Sequence, residues 1–254
     1  MNLRSIQHTV CLVLLMLLAQ MSTRAQSDTL KVLFVGNSFT YFYNLPQVVS
    51  AMAQEQGSAI MTRQSTVGGS NLEQHWKEER GTQTRRLIPS ESWDYVVFNN
   101  HSMSSLRDSA AFMEYGKKFA QLVYEQGAKP VFMMTWAYDS NPLMQDPVAK
   151  AYRKLAEETQ SVCFPAGMLF ANARQLRPDL DLFFDDKHPS ELGTYMLGLA
   201  FTRFFTGKEA SGLPHRITTR DRHNEKLYLI FTHQEDARFL QQLVDEHPLP
   251  KRQE

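Results

Sequence analysis

Short apolar runs alternate with longer amphipathic segments along this 254-residue chain. Lys31–Val35 (KVLFV), Ala59–Thr66, Asp94–Phe98 (DYVVF), Pro130–Trp136 (PVFMMTW) and Val162–Phe164 read as strands. Runs such as KVLFV and DYVVF, with no polar residue alternating through them, fit strands covered on both faces. The intervening segments 45–56, 108–126, 147–159 and 190–205 have helical spacing, as in Phe112, Tyr115, Phe119, Leu122 and Val123. Strand and helix in turn imply right-handed crossovers and a parallel sheet with helices on both faces. The expected fold is therefore α/β: a three-layer α/β/α sandwich around a central parallel sheet of about five strands. A polar tail, roughly 224–245, carries a helical pattern and is expected to pack on the outside. Ligands of such sheets sit at the carboxyl ends of the strands, and Ser38, Gly69 and Asn99 each fall just after one.

The amino end reads as a targeting segment. Met1–His8 is short and polar with one Arg, and Val10–Ala19 is almost unbroken apolar. Such a run is too short to span a bilayer, which takes roughly 20 residues. It fits a secretory signal, with Thr23-Arg24-Ala25 as the cleavage site. Residues 1–25 are expected to be removed, leaving Gln26 first, with 26–254 as one domain with a helical carboxyl-terminal extension. The protein would then be exported, periplasmic or extracellular, with no stable membrane anchor; an uncleaved anchor is the alternative.

Lys and Arg together number 27, balanced by 27 Asp and Glu, and no basic stripe appears, so nucleic acid is not an expected partner. The eight His form no H-x-H or H-E-x-x-H arrangement, so neither a metal site nor a cofactor is expected. Of the two Cys, Cys11 lies in the apolar run, while Cys163, between Val162 and Phe164-Pro165, reads as structural.

Four short blocks carry chemistry. Ser38 follows the first strand in VGNSF, and a lone Ser there is more often a turn or cap residue than a nucleophile. The second glycine of a G-x-S-x-G elbow is missing, since position 40 is Thr, which disfavours an ordinary α/β-hydrolase. In DDKHPS, Asp185 and His188 are three apart, so one tight turn could set a carboxylate against an imidazole. A hydroxyl needs a base to take its proton, and the base needs an anion to fix its tautomer. A tetrahedral intermediate also needs donors for its oxyanion. Gly69, in VGGSNL, can bring a backbone N–H close, and Asn99, in VVFNNHS, offers an amide. Asn100 competes with Asn99 for that place; Asn99 directly follows the strand.

These blocks, in this order from Val35 to Gly193, resemble those of the SGNH (GDSL-type) serine hydrolases. The resemblance implies Ser38 as nucleophile, His188 as base and Asp185 as its orienter. It also implies an oxyanion hole made from the Ser38 and Gly69 N–H groups and the Asn99 amide. The chain departs from the family pattern in reading G-N-S-F for G-D-S-L, and in lacking the usual Gly-x before Asn99. Aromatic residues beside the blocks, among them Trp76 and Trp136, suit a sugar ring, although core packing is an equal reading. The expected substrate is a small-molecule or glycan ester, foremost an acetylated carbohydrate. A lipase or thioesterase whose acyl channel uses Phe39, Phe42 and Met134 is one alternative; a non-catalytic glycan-binding protein is another. The oligomeric state is not legible.

Overall fold

The computed structural model describes residues 29–252, so the expected signal segment and its cleavage site lie outside the described residues. In chain order the elements are β1 (Leu30–Gly36), α1 (Ser38–Tyr41), α2 (Leu45–Glu55), β2 (Ile60–Thr66), α3 (Leu72–Lys77) and α4 (Thr84–Leu87). Next come β3 (Tyr95–Phe98), α5 (Ser104–Arg107), α6 (Ser109–Glu125), β4 (Lys129–Met133), α7 (Gln145–Thr159) and β5 (Val162–Phe164). The chain continues with α8 (Ala166–Leu176), α9 (Glu191–Thr206), β6 (Arg216–Arg220), β7 (Lys226–Phe231) and α10 (Gln234–Glu246).

The strands β1 to β5 form one sheet in the order β2-β1-β3-β4-β5, and every pairing in it is parallel. Successive side chains of a strand face opposite ways, and here both faces are apolar. Val32 and Phe34 of β1, Tyr95 and Val97 of β3, and Val162 and Phe164 of β5 enter a core shared with α2, α8, α9 and α10. Leu33 and Val35, Val96 and Phe98, and Phe132 of β4 enter a second core beneath α3, α6 and α7. This double burial explains the unbroken apolar runs, and it makes the three-layer sandwich. Phe164 stacks face to face on Phe201 of α9, with centroids 3.9 Å apart, and Phe34 meets the same ring edge-on.

The strand order reverses direction between β1 and β3. Such a switch point opens a crevice at the carboxyl ends of the strands, and the loops after β1 and β3 meet there.

Two expectations are corrected. The stretch 224–245 is not helical throughout: Lys226–Phe231 is a strand paired antiparallel with Arg216–Arg220, and only Gln234–Glu246 is helix. The fourth strand ends at Met133, and Met134, Thr135 and Trp136 run on as buried loop. Cys163 is partly buried, and burial, working against the pull of Arg153, pushes its thiol up to about 11, which leaves it a poor nucleophile, in keeping with a structural role.

Candidate active site

Gly36 ends β1 where the chain passes so close to Asn99 that a Cβ would run into the Asn99 side-chain oxygen. Asn37 then caps α1: its Oδ1 accepts from the Phe39 N–H at 3.1 Å. Capping is thus the work of Asn37, and the Ser38 hydroxyl is left for another partner. That partner is His188, whose Nε2 lies 2.8 Å from Ser38 Oγ.

The His188 loop is built by Asp185. One carboxylate oxygen accepts the backbone N–H groups of Lys187 and His188, both at 2.8 Å, and the other takes His188 Nδ1 at 2.7 Å. The Phe184 N–H donates to the His188 carbonyl at 2.8 Å, closing the turn, and Trp136 Nε1 donates to the Lys187 carbonyl at 2.7 Å from below. Burial would raise the Asp185 pKa, but the backbone N–H and ring of His188 and the Lys187 N–H outweigh it and hold the carboxyl at about 2. An ionised carboxylate on Nδ1 keeps the proton there, so Nε2 is the acceptor facing Ser38. Phe42 stacks flat on the imidazole, with centroids 4.4 Å apart and planes 7° off parallel, which fixes the ring. Asp186 points elsewhere, accepting the Ser140 N–H at 2.7 Å.

The third block is packed differently from what its sequence implies. Asn99 is buried, and both of its amide hydrogens are in use, on Asn37 Oδ1 at 3.0 Å and on the Asn100 carbonyl at 2.9 Å. Its oxygen accepts from Thr40 Oγ1 at 2.5 Å. Asn99 therefore ties the loop after β3 to the loop after β1 and does not face the cleft. Asn100 is also buried; its oxygen accepts the Leu72 N–H at 3.0 Å. The residues of this block that line the cleft with Ser38 are His101 and Ser102. Only their place, two and three residues beyond Asn99, could have signalled this.

The second block is held by a buried His. Ser70 accepts at its carbonyl from Asn37 Nδ2, 2.9 Å away, and its hydroxyl meets His75 Nε2 at 2.8 Å. His75 Nε2 also donates to the Gly36 carbonyl at 2.9 Å, and Nδ1 meets Thr84 Oγ1 at 2.6 Å. Burial lowers the His75 pKa to about 4, against the Gly36 carbonyl that would raise it. Just before this anchor, Gly69 takes a φ of 69°, a left-handed conformation that suits glycine, and lines the same cleft as His188.

The cleft encloses about 370 Å³, within the range of small-molecule sites, roughly 300–1,000 Å³. A separate cavity of about 450 Å³ is lined by Asp185 but not by Ser38.

Neither tryptophan proposed as a sugar platform is placed for it. Trp136 has no exposed surface; its indole lies between Phe39, at 4.6 Å, and Phe170, at 4.3 Å. Trp76 packs edge-on against Phe119 beneath Arg85 and Lys118, away from the cleft. Met134 belongs to the core under α6 and α7, whereas Phe39 and Phe42 do line the cleft.

No family model and no curated protein matches the chain. Solved structures do. A candidate SGNH hydrolase from Slackia heliotrinireducens superposes with a TM-score of 0.57 at 20% identity, covering 69% of this chain and 98% of that one. A candidate lipolytic protein of the G-D-S-L family from Desulfitobacterium hafniense gives 0.54 at 14% identity, covering 68% and 98%. A variant of an acetyl-xylooligosaccharide esterase from Geobacillus stearothermophilus gives 0.50 at 17%, covering 70% and 95%. The reversed strand order, the parallel sheet and these superpositions agree: the chain has the fold of the SGNH, or GDSL-type, hydrolases.

Proposed function

We propose that this protein is a serine ester hydrolase working through an acyl-enzyme. The observation that carries the reading is the relay from Ser38 Oγ to His188 Nε2 and from His188 Nδ1 to Asp185, 2.8 and 2.7 Å long. His188 takes the Ser38 proton as Oγ attacks the ester carbon, and Asp185 stabilises the imidazolium that forms. The tetrahedral intermediate collapses, His188 protonates the departing alkoxide, and the acyl group stays on Ser38. Water, deprotonated by His188, then attacks that acyl group and releases the acid and free Ser38.

The oxyanion falls to the Ser38 and Gly69 N–H groups, with His101 supplying a side-chain donor in place of Asn99. Burial first, and then the positive charges of Lys187, Arg107 and Arg80, lower the His101 pKa, which favours the neutral ring with its one N–H donor.

Within this reading, a short acyl group on a carbohydrate alcohol is the substrate we favour. The Met134 side chain is buried in the core and does not extend the cleft into an acyl channel, and the acetyl-xylooligosaccharide esterase shares the fold. Export is part of the same proposal, resting on the apolar run and the Ala25 site.

A fluorophosphonate probe should label the wild-type protein and fail on Ser38→Ala. Turnover should fall steeply from acetyl to octanoyl esters, since a fitting acyl channel would instead favour each added methylene by about 0.8 kcal/mol. Persistent labelling of Ser38→Ala would overturn the nucleophile; higher kcat/KM on octanoyl esters would overturn the short-acyl reading.

A further inference from the structure

We infer that the ester taken at Ser38 bears a negative charge close to the scissile bond, received by Lys187 in the lining of the cleft and by Arg80 beside Gly69 at its edge. This rests on the esterase reading and narrows its substrate class. Among the described residues, Lys187 is the one formally charged side chain, histidines aside, that lines the Ser38 cleft, and no carboxylate lines it. It sits half-buried beside His188. Arg80 stands outside that lining but next to it: a Cβ built at Gly69, which lines the cleft, would meet Arg80 Nη1 at 3.7 Å, so the guanidinium reaches over the second block. Arg80 holds a φ of 55°, a conformation uncommon for any residue but glycine.

Among the described residues no acid pairs with Arg80, Arg107 or Lys187, whereas Arg63, Arg174, Arg177 and Arg203 each hold a carboxylate. His101, in the same cleft, feels the positive charge of all three unpaired groups. A cleft lined by one sign of charge concentrates ligands of the other. The chemistry that fits is an O-acylated sugar carrying a carboxylate, sulfate or phosphate.

The test compares an O-acetylated uronic acid glycoside with its uronamide, which is close in shape but neutral, and adds an acetylated sugar sulfate. In the wild-type protein kcat/KM for the acid should exceed that for the amide by roughly three- to tenfold at low salt. The ratio should shrink as added salt shortens the screening length. Arg80→Gln combined with Lys187→Gln should bring the ratio close to one, while Arg63→Gln, distant and already paired, should leave it as in the wild type. A preference for the sulfate alone would assign the anion as sulfate rather than carboxylate and still support the inference. Equal turnover of acid, sulfate and amide overturns it and leaves the esterase reading standing. No turnover of any ester by the folded protein overturns the esterase reading instead. Calorimetric titration with the deacetylated uronate and uronamide then decides the inference separately: tighter binding of the uronate, lost in the double variant, supports it, and equal binding overturns it.

Discussion

At Asp185 both carboxylate oxygens are committed, one to two backbone N–H groups and one to the imidazole. Asn at this position could keep the backbone contacts, but it can turn an NH2 toward His188 Nδ1 and force the wrong tautomer. Asp185→Asn should therefore lower kcat by about three to four orders of magnitude while Tm changes little. Asp186→Asn, whose carboxylate serves Ser140, should leave kcat within a few-fold of wild type. A larger defect at Asp186 would mean the turn works differently. Because Asp185 stays ionised down to about pH 2, a loss of kcat/KM in weak acid does not come from this carboxylate. The third block gives a second contrast. Asn99→Ala strips a buried amide from Asn37 and Thr40 and should cost roughly 1–3 kcal/mol of stability. His101→Phe should leave Tm close to wild type and lower kcat with a smaller change in KM. Reversed outcomes, measured by melting and by steady-state kinetics, would return the oxyanion role to Asn99.

Helix α9 packs on α2 with Gly198 at the closest approach, where a Cβ would sit 2.7 Å from Val48 Cγ1 and 3.0 Å from Met52 Sδ. Gly198→Val should therefore destabilise by about 1–3 kcal/mol through overpacking, while the rate per folded molecule is kept, since neither helix carries a residue of the relay. A denaturant midpoint shift without a change in specific activity is the expected result. At this scale much of the architecture was legible in the residues. Strands β1, β3, β4 and β5 announce themselves because burial on both faces leaves polar residues only near the start of a strand, as at Lys31 and Lys129. The same burial fixed where Ser38, Gly69 and Asn99 would fall. The hairpin was not legible, because most of the Lys226–Phe231 side chains are exposed, Leu227, Tyr228 and Phe231 among them, and no inward face imposes a period of two. Helix α8 was missed because it starts directly after Pro165 with no side-chain cap to mark it. The direction of the Asn99 amide was hidden for a different reason. A motif shows which residue types are present, whereas the direction of a buried amide depends on Asn37 and Thr40, some sixty positions earlier in the chain.

For the whole molecule, acid should act on stability before it reaches the carboxylates of the site. His75 is buried beneath the second block, and its pKa is lowered from 6.5 to about 4. Between those values the unfolded chain binds a proton that the folded protein refuses, so stability falls as pH falls. The contribution is fully present above the unfolded value and gone once pH has dropped through the folded one. At about 1.4 kcal/mol per pKa unit, the loss from this one group approaches about 3 kcal/mol. His101 and His247 are lowered as well, both mainly by burial, and add in the same direction. Asp185, held near 2, joins only at the acid extreme. The consequence reaches the site, because a charged His75 can no longer accept at Nδ1 from Thr84, and the ties to Gly36 and Ser70, next to the cleft residues Asn37 and Gly69, depend on that ring. Melting temperatures measured from pH 7.5 to 4.5 should fall with a slope that steepens below about pH 6.5. His75→Asn should be less stable at neutral pH, yet show a flatter dependence, because the titrating group is gone while part of the hydrogen bonding remains. An unchanged slope in His75→Asn would move the acid sensitivity away from the block that holds Gly69.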